Sequence, residues 1–260
     1  MKPKLIDSTR PACKKRRLTI IDGAKGGVGK SLVGSFYASA VLSQGTSLTL
    51  IESDQANPDV ARRFQHHTGV VLADLSDRDG WISLLQALET IESRDIVMPM
   101  PAGLNNIGEI QELLSLTLAS LGIELQVIFC LSRQNDSIAL IDQSLGSGLS
   151  AFATRAIALK NGFFGRDETF DRWRNSDQRT RWINAGFAEA FFPELHHQLI
   201  DLLENDPQPL HAMLTAELPV VLRIELDNWL RAARSSLDLL LADHPADKAE
   251  TTHALAEEAV

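Results

Sequence analysis

The sequence predicts an α/β fold of three layers, in which a mostly parallel sheet is covered by helices on both faces. Short apolar runs alternate with longer amphipathic segments along most of the chain. Continuous apolar runs are typical of strands that are buried on both faces, and parallel strands must be joined by long crossovers, usually helices. The chain has 260 residues and 44% hydrophobic content, which is enough for the large core that such a fold needs.

The alternation also gives the order of the predicted elements. Strands are expected at 18–21, 47–51, 95–103, 123–131 and 151–159, and the range 95–103 includes the loop that leaves the strand. Helices are expected at 32–44, 79–92, 107–121, 136–146, 194–205 and 219–243. Strands and helices that alternate in this way imply right-handed crossovers and helices on both faces of the sheet.

Composition predicts one domain with a tail at each end. Residues 18–243 carry the predicted elements and are expected to form a single domain. Residues 1–17 are polar, include four consecutive basic residues, and are predicted to be a flexible leader, with an anion-binding arm as the alternative. Residues 244–260 are acidic and alanine-rich, and we predict a flexible tail there.

Charge and apolar content exclude several classes of protein. The net charge of −9 argues against a surface coated with nucleic-acid-binding charge, although it leaves room for a local basic patch. The sequence contains neither an apolar stretch long enough to span a membrane nor the apolar core of a signal peptide. Its two cysteines lack the spacing of a zinc or iron–sulfur site. We therefore predict a protein of the reducing cytoplasm that does not bind membranes.

A glycine-rich segment follows the first predicted strand and precedes the first predicted helix. Glycines let backbone N–H groups turn inward around an anion, and the N-terminus of the next helix adds its positive dipole end. Lys30 is predicted to reach the β- and γ-phosphates of a nucleotide, and Ser31 to offer its hydroxyl to Mg²⁺. The predicted nucleotide-binding residues are Gly26, Gly27, Val28, Gly29, Lys30, Ser31 and Leu32.

This loop differs from the standard phosphate loop in two places. Ala24 stands where the standard loop has its first glycine, and Lys25 precedes the paired glycines. The arrangement resembles the deviant Walker A loop of the ParA/MinD family of partition and positioning ATPases. The resemblance implies a P-loop NTPase fold, ATP and Mg²⁺ as ligands, and a homodimer that forms around ATP. It also implies that Lys25 reaches the phosphates bound by the partner chain, so that Lys25 joins Lys30 among the predicted catalytic residues.

Carboxylates follow the second predicted strand at Glu52 and Asp54. The carboxyl end of a parallel strand beside a phosphate loop is where Mg²⁺ and the attacking water are expected. The pair resembles the family's first acidic motif, with Glu52 in the place of its first aspartate. Asp54 is therefore the candidate to orient water and to hold the metal, and a capped turn with solvated acids is the alternative.

The next strand departs from the family at its end. The family's second acidic motif has an aspartate, one residue and then Pro-Ala-Gly, and here Pro99 occupies the place of that aspartate. Proline removes both a carboxylate and a backbone donor. We therefore predict that ATP hydrolysis is slow, depends on Asp54 alone, or is absent.

Two features beyond residue 160 have alternative interpretations. Asn161 loosely matches a family asparagine that pairs with the adenine edge, and an asparagine in a turn is the alternative. The segment 155–181 combines basic and aromatic residues, which indicates either a subdomain that packs its aromatic rings or a surface that binds nucleic acid. We favour packing.

The sequence supports three functional hypotheses. The first is an ATP-dependent, dimerising switch in plasmid segregation, positioning or conjugative transfer, with DNA or a DNA-binding adaptor protein as its partner. The second is a nucleotide-dependent scaffold that does not hydrolyse ATP because of Pro99. The third is a metabolic P-loop enzyme, for which we find no set of substrate-binding acids and bases.

Overall fold

In the computed structural model, which describes residues 15–23, 26–54, 57–103 and 107–242, seven strands form one sheet. They are β1 (Arg16–Asp22), β2 (Leu48–Glu52), β3 (Gly69–Leu72), β4 (Asp95–Pro99), β5 (Ile123–Leu131), β6 (Arg155–Asn161) and β7 (Ala188–Phe192). Their order in the sheet is β3-β2-β4-β1-β5-β6-β7, and every neighbouring pair is parallel. The carboxyl ends of the strands therefore lie along one edge of the sheet.

The crossovers between these strands are mainly helical. The helices are α1 (Lys30–Ser43), α2 (Asp59–Phe64), α3 (Arg78–Thr90), α4 (Ile107–Leu121), α5 (Asn135–Gly146), α6 (Asp171–Arg174), α7 (Asp177–Asn184), α8 (His197–Asn205), α9 (Val220–Ser236) and α10 (Asp238–Leu241). Single 3₁₀ turns lie at Leu149–Phe152, Gly162–Phe164, Asp167–Thr169 and Ala212–Thr215. None of the helices in the described ranges is long and apolar enough to cross a bilayer.

The sheet separates two hydrophobic cores. Side chains of α3, α4, α5, α6 and α7 pack on one face, and those of α1, α2, α8, α9 and α10 pack on the other. Successive residues of a strand alternate between the two cores, as Ile20 and Ile21 do in β1. Helices on both faces of a parallel sheet confirm the predicted three-layer α/β fold.

Polar contacts at the amino edge of the sheet fix β1 against its neighbours. Arg17 and Asp95, which are register partners in β1 and β4, form a buried ion pair with the Arg17 Nη2 and Asp95 Oδ1 atoms 2.6 Å apart. Tyr37 of α1 donates its hydroxyl to Oε1 of Gln126 at 3.1 Å, and burial raises the pKa of Tyr37 to about 12. The ion pair joins β1 to β4, and the Tyr37 hydrogen bond holds α1, which begins at the glycine-rich loop, against β5.

The structure corrects several predicted elements. The predicted strand 151–159 begins only at Arg155, because residues 149–152 form a 3₁₀ turn. The predicted helix 219–243 is interrupted at Leu237, where α9 ends and the short α10 begins. Strands β3 and β7 were not predicted at all. Residues 1–14 of the predicted leader and the whole predicted tail 244–260 lie outside the described residues.

Candidate functional site

Five strand ends meet at the candidate site. In the sheet order β2-β4-β1-β5-β6, the glycine-rich loop after β1 lies in the middle. The acidic segment after β2 lies on one side of it, and the segment after β6 lies on the other. Open parallel sheets bind ligands in the crevice outside the carboxyl ends of their strands, so this edge is the expected place for a ligand.

The glycine-rich loop leads directly into α1. Gly29 precedes the first residue of α1 and has a left-handed backbone, with φ of 97°. A Cβ atom at this position would lie 2.3 Å from Nδ2 of Asn161, so only glycine fits here. Ala24 and Lys25, whose family role is the most distinctive prediction from the sequence, lie outside the described residues.

Lys30 lies inside the loop. Its side chain is buried, with 7% of the residue exposed, and its Nζ donates to the carbonyl oxygen of Gly23 at 3.0 Å. Burial lowers the pKa of Lys30, and the charges of nearby groups, among them Asp22 and Asp54, oppose this effect. A desolvated lysine at the N-terminus of a helix is well placed to interact with an anion.

The other predicted loop residues differ in their surroundings. Gly26, Gly27 and Ser31 are exposed at the edge of the sheet, where a ligand could reach them. Val28 and Leu32 pack against the core that contains α1, so only their backbone groups can face a ligand. The loop thus presents backbone groups, one hydroxyl and the Lys30 ammonium group at one place.

Glu52 has a structural role that the sequence did not reveal. Its residue is 2% exposed, and its two carboxylate oxygens accept hydrogen bonds from the backbone N–H groups of Asp54 and Ala61, each at 3.0 Å. Burial raises the pKa of Glu52, and these backbone donors oppose the effect. Glu52 therefore ties the segment after β2 to the first turns of α2.

Asp54 is half-buried at the end of the same segment. Its Oδ1 accepts a hydrogen bond from the backbone N–H of Asn57 at 3.0 Å, which is the capped turn that the sequence left open as an alternative. The capped turn fixes the direction of the carboxylate, and a second oxygen atom is left for other contacts. The roles of Asp54 in holding metal and in orienting water remain predictions.

Pro99 fits closely against α1. A Cβ atom at Gly34 would lie 2.6 Å from Cγ of Pro99, so the proline ring occupies the space beside this glycine. The pairing of β2 with β4 ends at Leu50 and Val97, before the proline, and the Ser53 hydroxyl donates to the Pro99 carbonyl at 2.7 Å. Pro99 has no backbone N–H to donate. Because it lies beyond the last residue pair of the ladder between β2 and β4, no hydrogen bond of that ladder is lost.

Asn161 connects the end of β6 to the glycine-rich loop. Its Nδ2 donates to the carbonyl oxygen of Val28 at 2.9 Å, and its Oδ1 accepts from the backbone N–H of Phe163 at 3.0 Å. The turn contact matches the alternative interpretation of this asparagine. An amide nitrogen carries two donor hydrogens, so the bond to Val28 leaves one of them for a second acceptor.

Asp22 was missed in the sequence analysis. It ends β1, its Oδ1 accepts from the backbone N–H of Gly23 at 2.7 Å, and burial raises its pKa while Lys30 opposes this effect. Its side chain lines a cavity of about 100 Å³ that reaches the helices on the face opposite α1. A carboxylate at a strand end directly before a glycine-rich loop was the signal that could have identified it.

The basic and aromatic segment is mostly packed and paired. Phe170, Trp173 and Trp182 are buried in the core. Arg179 pairs with Glu189 of β7, and Arg181 pairs with Asp142 of α5. These contacts support the packing interpretation that the sequence analysis favoured.

The donor set at the strand ends suits magnesium better than an enclosed metal site. Among the described residues no group of three or more His, Cys, Asp or Glu side chains is placed to hold a metal ion. Mg²⁺ typically binds through one or two protein oxygens together with phosphate oxygens and water. Ser31 and Asp54 offer a hydroxyl and a carboxylate of this kind.

Comparison with known proteins identifies one curated relative of high coverage. Protein MobD of Acidithiobacillus ferrooxidans is 31% identical over 225 residues, which are 86% of this chain and 97% of that protein. No protein-family model matches the chain. Among solved structures, the MinD cell division protein of Aquifex aeolicus is 16% identical with a TM-score of 0.48, over 83% of this chain and 95% of that one. A nucleotide-binding protein from Archaeoglobus fulgidus, in complex with ADP, is 12% identical with a TM-score of 0.44, over 72% and 84%.

Proposed function

Because the chain belongs to the family of the MobD protein, we propose that it is an ATP-binding switch of the ParA/MinD type that acts in the conjugative transfer or segregation of DNA. The observation that carries this proposal is the position of Lys30. Its ammonium group is buried in a glycine-rich loop, 3.0 Å from a backbone carbonyl, at the N-terminus of α1. Burying a lysine costs free energy, and a bound phosphate would offset that cost.

In the proposed complex the triphosphate lies in the glycine-rich loop. Backbone N–H groups of residues 26–29 face its oxygens, and the positive end of the α1 dipole adds to their attraction. Lys30 neutralises the β- and γ-phosphates. Because the left-handed backbone of Gly29 and the side chain of Asn161 already hold the end of the loop, little order must be created when the nucleotide binds.

Ser31 and Asp54 would hold Mg²⁺ together with the phosphates. When bound, the metal ion would neutralise charge on the β- and γ-phosphate oxygens. Asp54 would also orient the attacking water, since it follows β2 at the same edge of the sheet. Without a carboxylate at Pro99, we propose that hydrolysis is slow.

The switch would couple the γ-phosphate to the surface around α2. Asp54 lies close to the loop, and Glu52 connects its segment to Ala61 in α2 through two backbone hydrogen bonds. A nucleotide that engages Asp54 would therefore bias the position of α2. Lys25, by its resemblance to the ParA/MinD loop, would cross to the phosphates of a second chain, so that ATP stabilises a homodimer.

We propose that the partner of this switch is a DNA-binding adaptor protein rather than DNA itself. Direct binding to DNA depends on basic side chains that are available to phosphates. In the segment 155–181, Arg179 and Arg181 are engaged with carboxylates, and Arg172 and Arg174 donate to backbone carbonyls. The acidic net charge of −9 is also unfavourable for direct binding.

The second hypothesis, a scaffold that binds ATP without hydrolysing it, is favoured by the environment of Pro99. The proline ring packs against Gly34, and its carbonyl accepts a hydrogen bond from Ser53. The residue that replaces the acid is therefore part of a fitted contact. Turnover of bound ATP separates this scaffold from a hydrolysing switch.

Calorimetric titration of ATP with Mg²⁺ tests the proposal. Native protein should bind ATP, and Lys30→Ala should weaken binding at least about tenfold, because the replaced ammonium group interacts directly with phosphate. Lys15→Ala is the matched control, since Lys15 is exposed near the amino edge of the sheet and pairs with Glu124. Native protein that binds no ATP, or a Lys30→Ala variant that binds ATP normally, would contradict the proposal.

A further inference from the structure

A cavity of about 220 Å³ opens between the segment after β5 and the chain that follows β6. Its lining residues are Arg133, Gln134, Thr169, Asp171 and Arg172. Because Arg133 comes two residues after the end of β5, the cavity lies at the same edge of the sheet as the glycine-rich loop. It lies on the side of α5 and α6, which pack on the face opposite α1. None of its lining residues belongs to the candidate nucleotide site.

Backbone carbonyls hold the two arginines of this cavity in place. Nε and Nη1 of Arg133 donate to the carbonyls of Thr169 and Phe164 at 3.0 and 3.5 Å. Nη1 of Arg172 donates to the carbonyl of Arg133 at 3.3 Å. A guanidinium group carries five N–H donors, so these bonds leave most of the donors of each arginine for a ligand. Side chains that are already held lose little conformational entropy when a ligand binds.

The cavity has a local excess of positive charge. In the part of the chain that the structure describes, neither Arg133 nor Arg172 forms an ion pair with a carboxylate. Asp171 also lines the cavity, but its Oδ1 already accepts from Nη1 of Arg174 at 3.0 Å. Two cationic groups therefore line one cavity, in a chain whose net charge is −9.

The shape and the donors of this cavity fit the carboxylate of a protein side chain. The planar guanidinium group matches the oxygens of a carboxylate or of a phosphate. Proteins bind duplex DNA through many phosphate contacts that are spread along the duplex. Two arginines in one cavity can contact only one or two oxyanions, and a concave site suits a side chain that protrudes from a protein surface. An acidic side chain is therefore favoured over the phosphates of DNA.

The cavity is also connected to the glycine-rich loop. Arg133 donates to the carbonyl of Phe164, and Asn161, three residues before Phe164, donates to the carbonyl of Val28 at 2.9 Å. A ligand that binds Arg133 would therefore contact the same turn that holds the loop.

We propose that the cavity between Arg133 and Arg172 binds an aspartate or glutamate side chain of the protein partner. The partner would then dock at the carboxyl edge of the sheet, beside the bound nucleotide. This inference rests on the proposed function for the role of the partner, and it adds the chemistry by which the partner is recognised.

Fluorescence anisotropy with labelled peptides tests the inference. The probes are hexaglutamate and, as the uncharged control, hexaglutamine. Native protein should bind hexaglutamate more tightly than hexaglutamine, although its net charge of −9 disfavours an acidic peptide. Arg133→Gln and Arg172→Gln should each weaken hexaglutamate binding at least about tenfold, because each removes hydrogen bonds between charged groups. Arg231→Gln is the matched control, since Arg231 lies on α9 and its loss changes the net charge equally.

The two arginine variants differ in their structural risk. Arg133 anchors the turn through two carbonyls, whereas Arg172 makes one hydrogen bond. Arg172→Gln therefore decides the test if Arg133→Gln does not fold, and thermal unfolding of each variant measures this.

Three results would overturn the inference. Native protein could bind hexaglutamate no more tightly than hexaglutamine, or Arg172→Gln could bind hexaglutamate as native protein does. A labelled DNA duplex could bind native protein and lose this binding in Arg172→Gln, which would show that the cavity takes phosphates.

Calorimetry of ATP with native protein tests the proposed function separately. If native protein binds ATP but not hexaglutamate, only this inference fails. If it binds hexaglutamate but not ATP, the proposed function fails and the cavity remains a site for acidic side chains.

Discussion

Pro99 and Gly34 form a close contact between the end of β4 and α1. The sequence identified Pro99 only as the residue that replaces an acid, whereas the structure shows its ring in the space above a glycine of α1. The two residues are far apart in the chain, so no local pattern connects them. A change at either position should therefore depend on the other.

Gly34→Ala should destabilise the protein by about 1–3 kcal/mol, because the new Cβ atom would lie 2.6 Å from Cγ of Pro99. Urea unfolding measures the effect. Gly146→Ala is the matched control, since Gly146 is also helical and a Cβ atom there would have no neighbour within 4 Å; we expect a neutral or slightly stabilising effect. In a Pro99→Ala background the cost of Gly34→Ala should largely disappear, and an unchanged cost would show that the two residues are not coupled.

Pro99→Asp should increase ATP turnover at least about tenfold if the missing carboxylate limits hydrolysis, since a carboxylate that is positioned to accept a proton from the attacking water contributes at least this much. Steady-state phosphate release measures kcat. Pro99→Asn is the control, because it removes the ring and provides a side chain of similar shape without charge. Equal rates in the Asp and Asn variants would mean that the carboxylate is not what native protein lacks.

The sequence predicted those parts of the candidate site that are contiguous in the chain. The glycine-rich loop with Lys30 and Ser31 was identified because its residue types and spacing act locally. The roles of Glu52 and Asp22 were not predicted, since each depends on burial and on backbone groups whose positions only the folded chain defines. Burial also decided how the aromatic segment was to be interpreted.

Among the secondary-structure elements, the long and strongly apolar ones were predicted best. Helix α4 (Ile107–Leu121) and strand β5 (Ile123–Leu131) have the predicted bounds. Strand β3 is only four residues long at the edge of the sheet, and β7 depends on its parallel pairing with β6. Neither strand has a distinctive sequence pattern of its own. Such short strands form because of their pairing with a neighbouring strand, and the local sequence does not reveal that pairing.

Helix α1, which carries the Lys30 side chain, is also held by a contact near its other end. The Ser39 Oγ lies 2.7 Å from Nδ1 of His211, and the backbone N–H of His211 donates to the same Oγ at 2.8 Å. Burial lowers the pKa of His211, and a charge on His67 would lower it further. His211 is therefore expected to be neutral in the folded protein at pH 7.

This contact should make stability depend on pH. The pKa of His211 is lower in the folded than in the unfolded chain. The contribution of the neutral ring to the free energy of unfolding is therefore complete above about pH 6.5 and is lost as the pH falls through the folded pKa. The loss is at most about 1.4 kcal/mol per pH unit, and solvent screening of a half-buried ring reduces it. Urea unfolding at pH 7.5 and 5.5 measures the loss, which should be smaller in His211→Asn, since asparagine keeps an acceptor and does not titrate. A loss of the same size in both proteins would contradict this role for His211.

At the scale of the whole molecule, one parallel sheet brings the separate parts of the site together. Residues 23, 54, 99 and 161 are far apart in the chain, but they lie at or just beyond the carboxyl ends of β1, β2, β4 and β6, which share one edge of the sheet. The core on either face fixes the strand order and so fixes the distances between these parts. In the proposed dimer this edge would face the same edge of a second chain.

ATP should convert the protein from monomer to dimer, and this change should require Lys25. Two bound triphosphates that face each other repel strongly, and the partner's Lys25 would offset part of that repulsion across the interface. Light scattering with ATP and Mg²⁺ should therefore give twice the monomer mass for native protein and for the control Lys15→Ala, and the monomer mass for Lys25→Ala. With ADP, all three should remain monomeric, because the γ-phosphate that Lys25 contacts is absent.

A dimer that forms without nucleotide, or a Lys25→Ala variant that dimerises with ATP as native protein does, would exclude the sandwich arrangement. ATP binding would then have to act within one chain, through Asp54 and the link from Glu52 to α2.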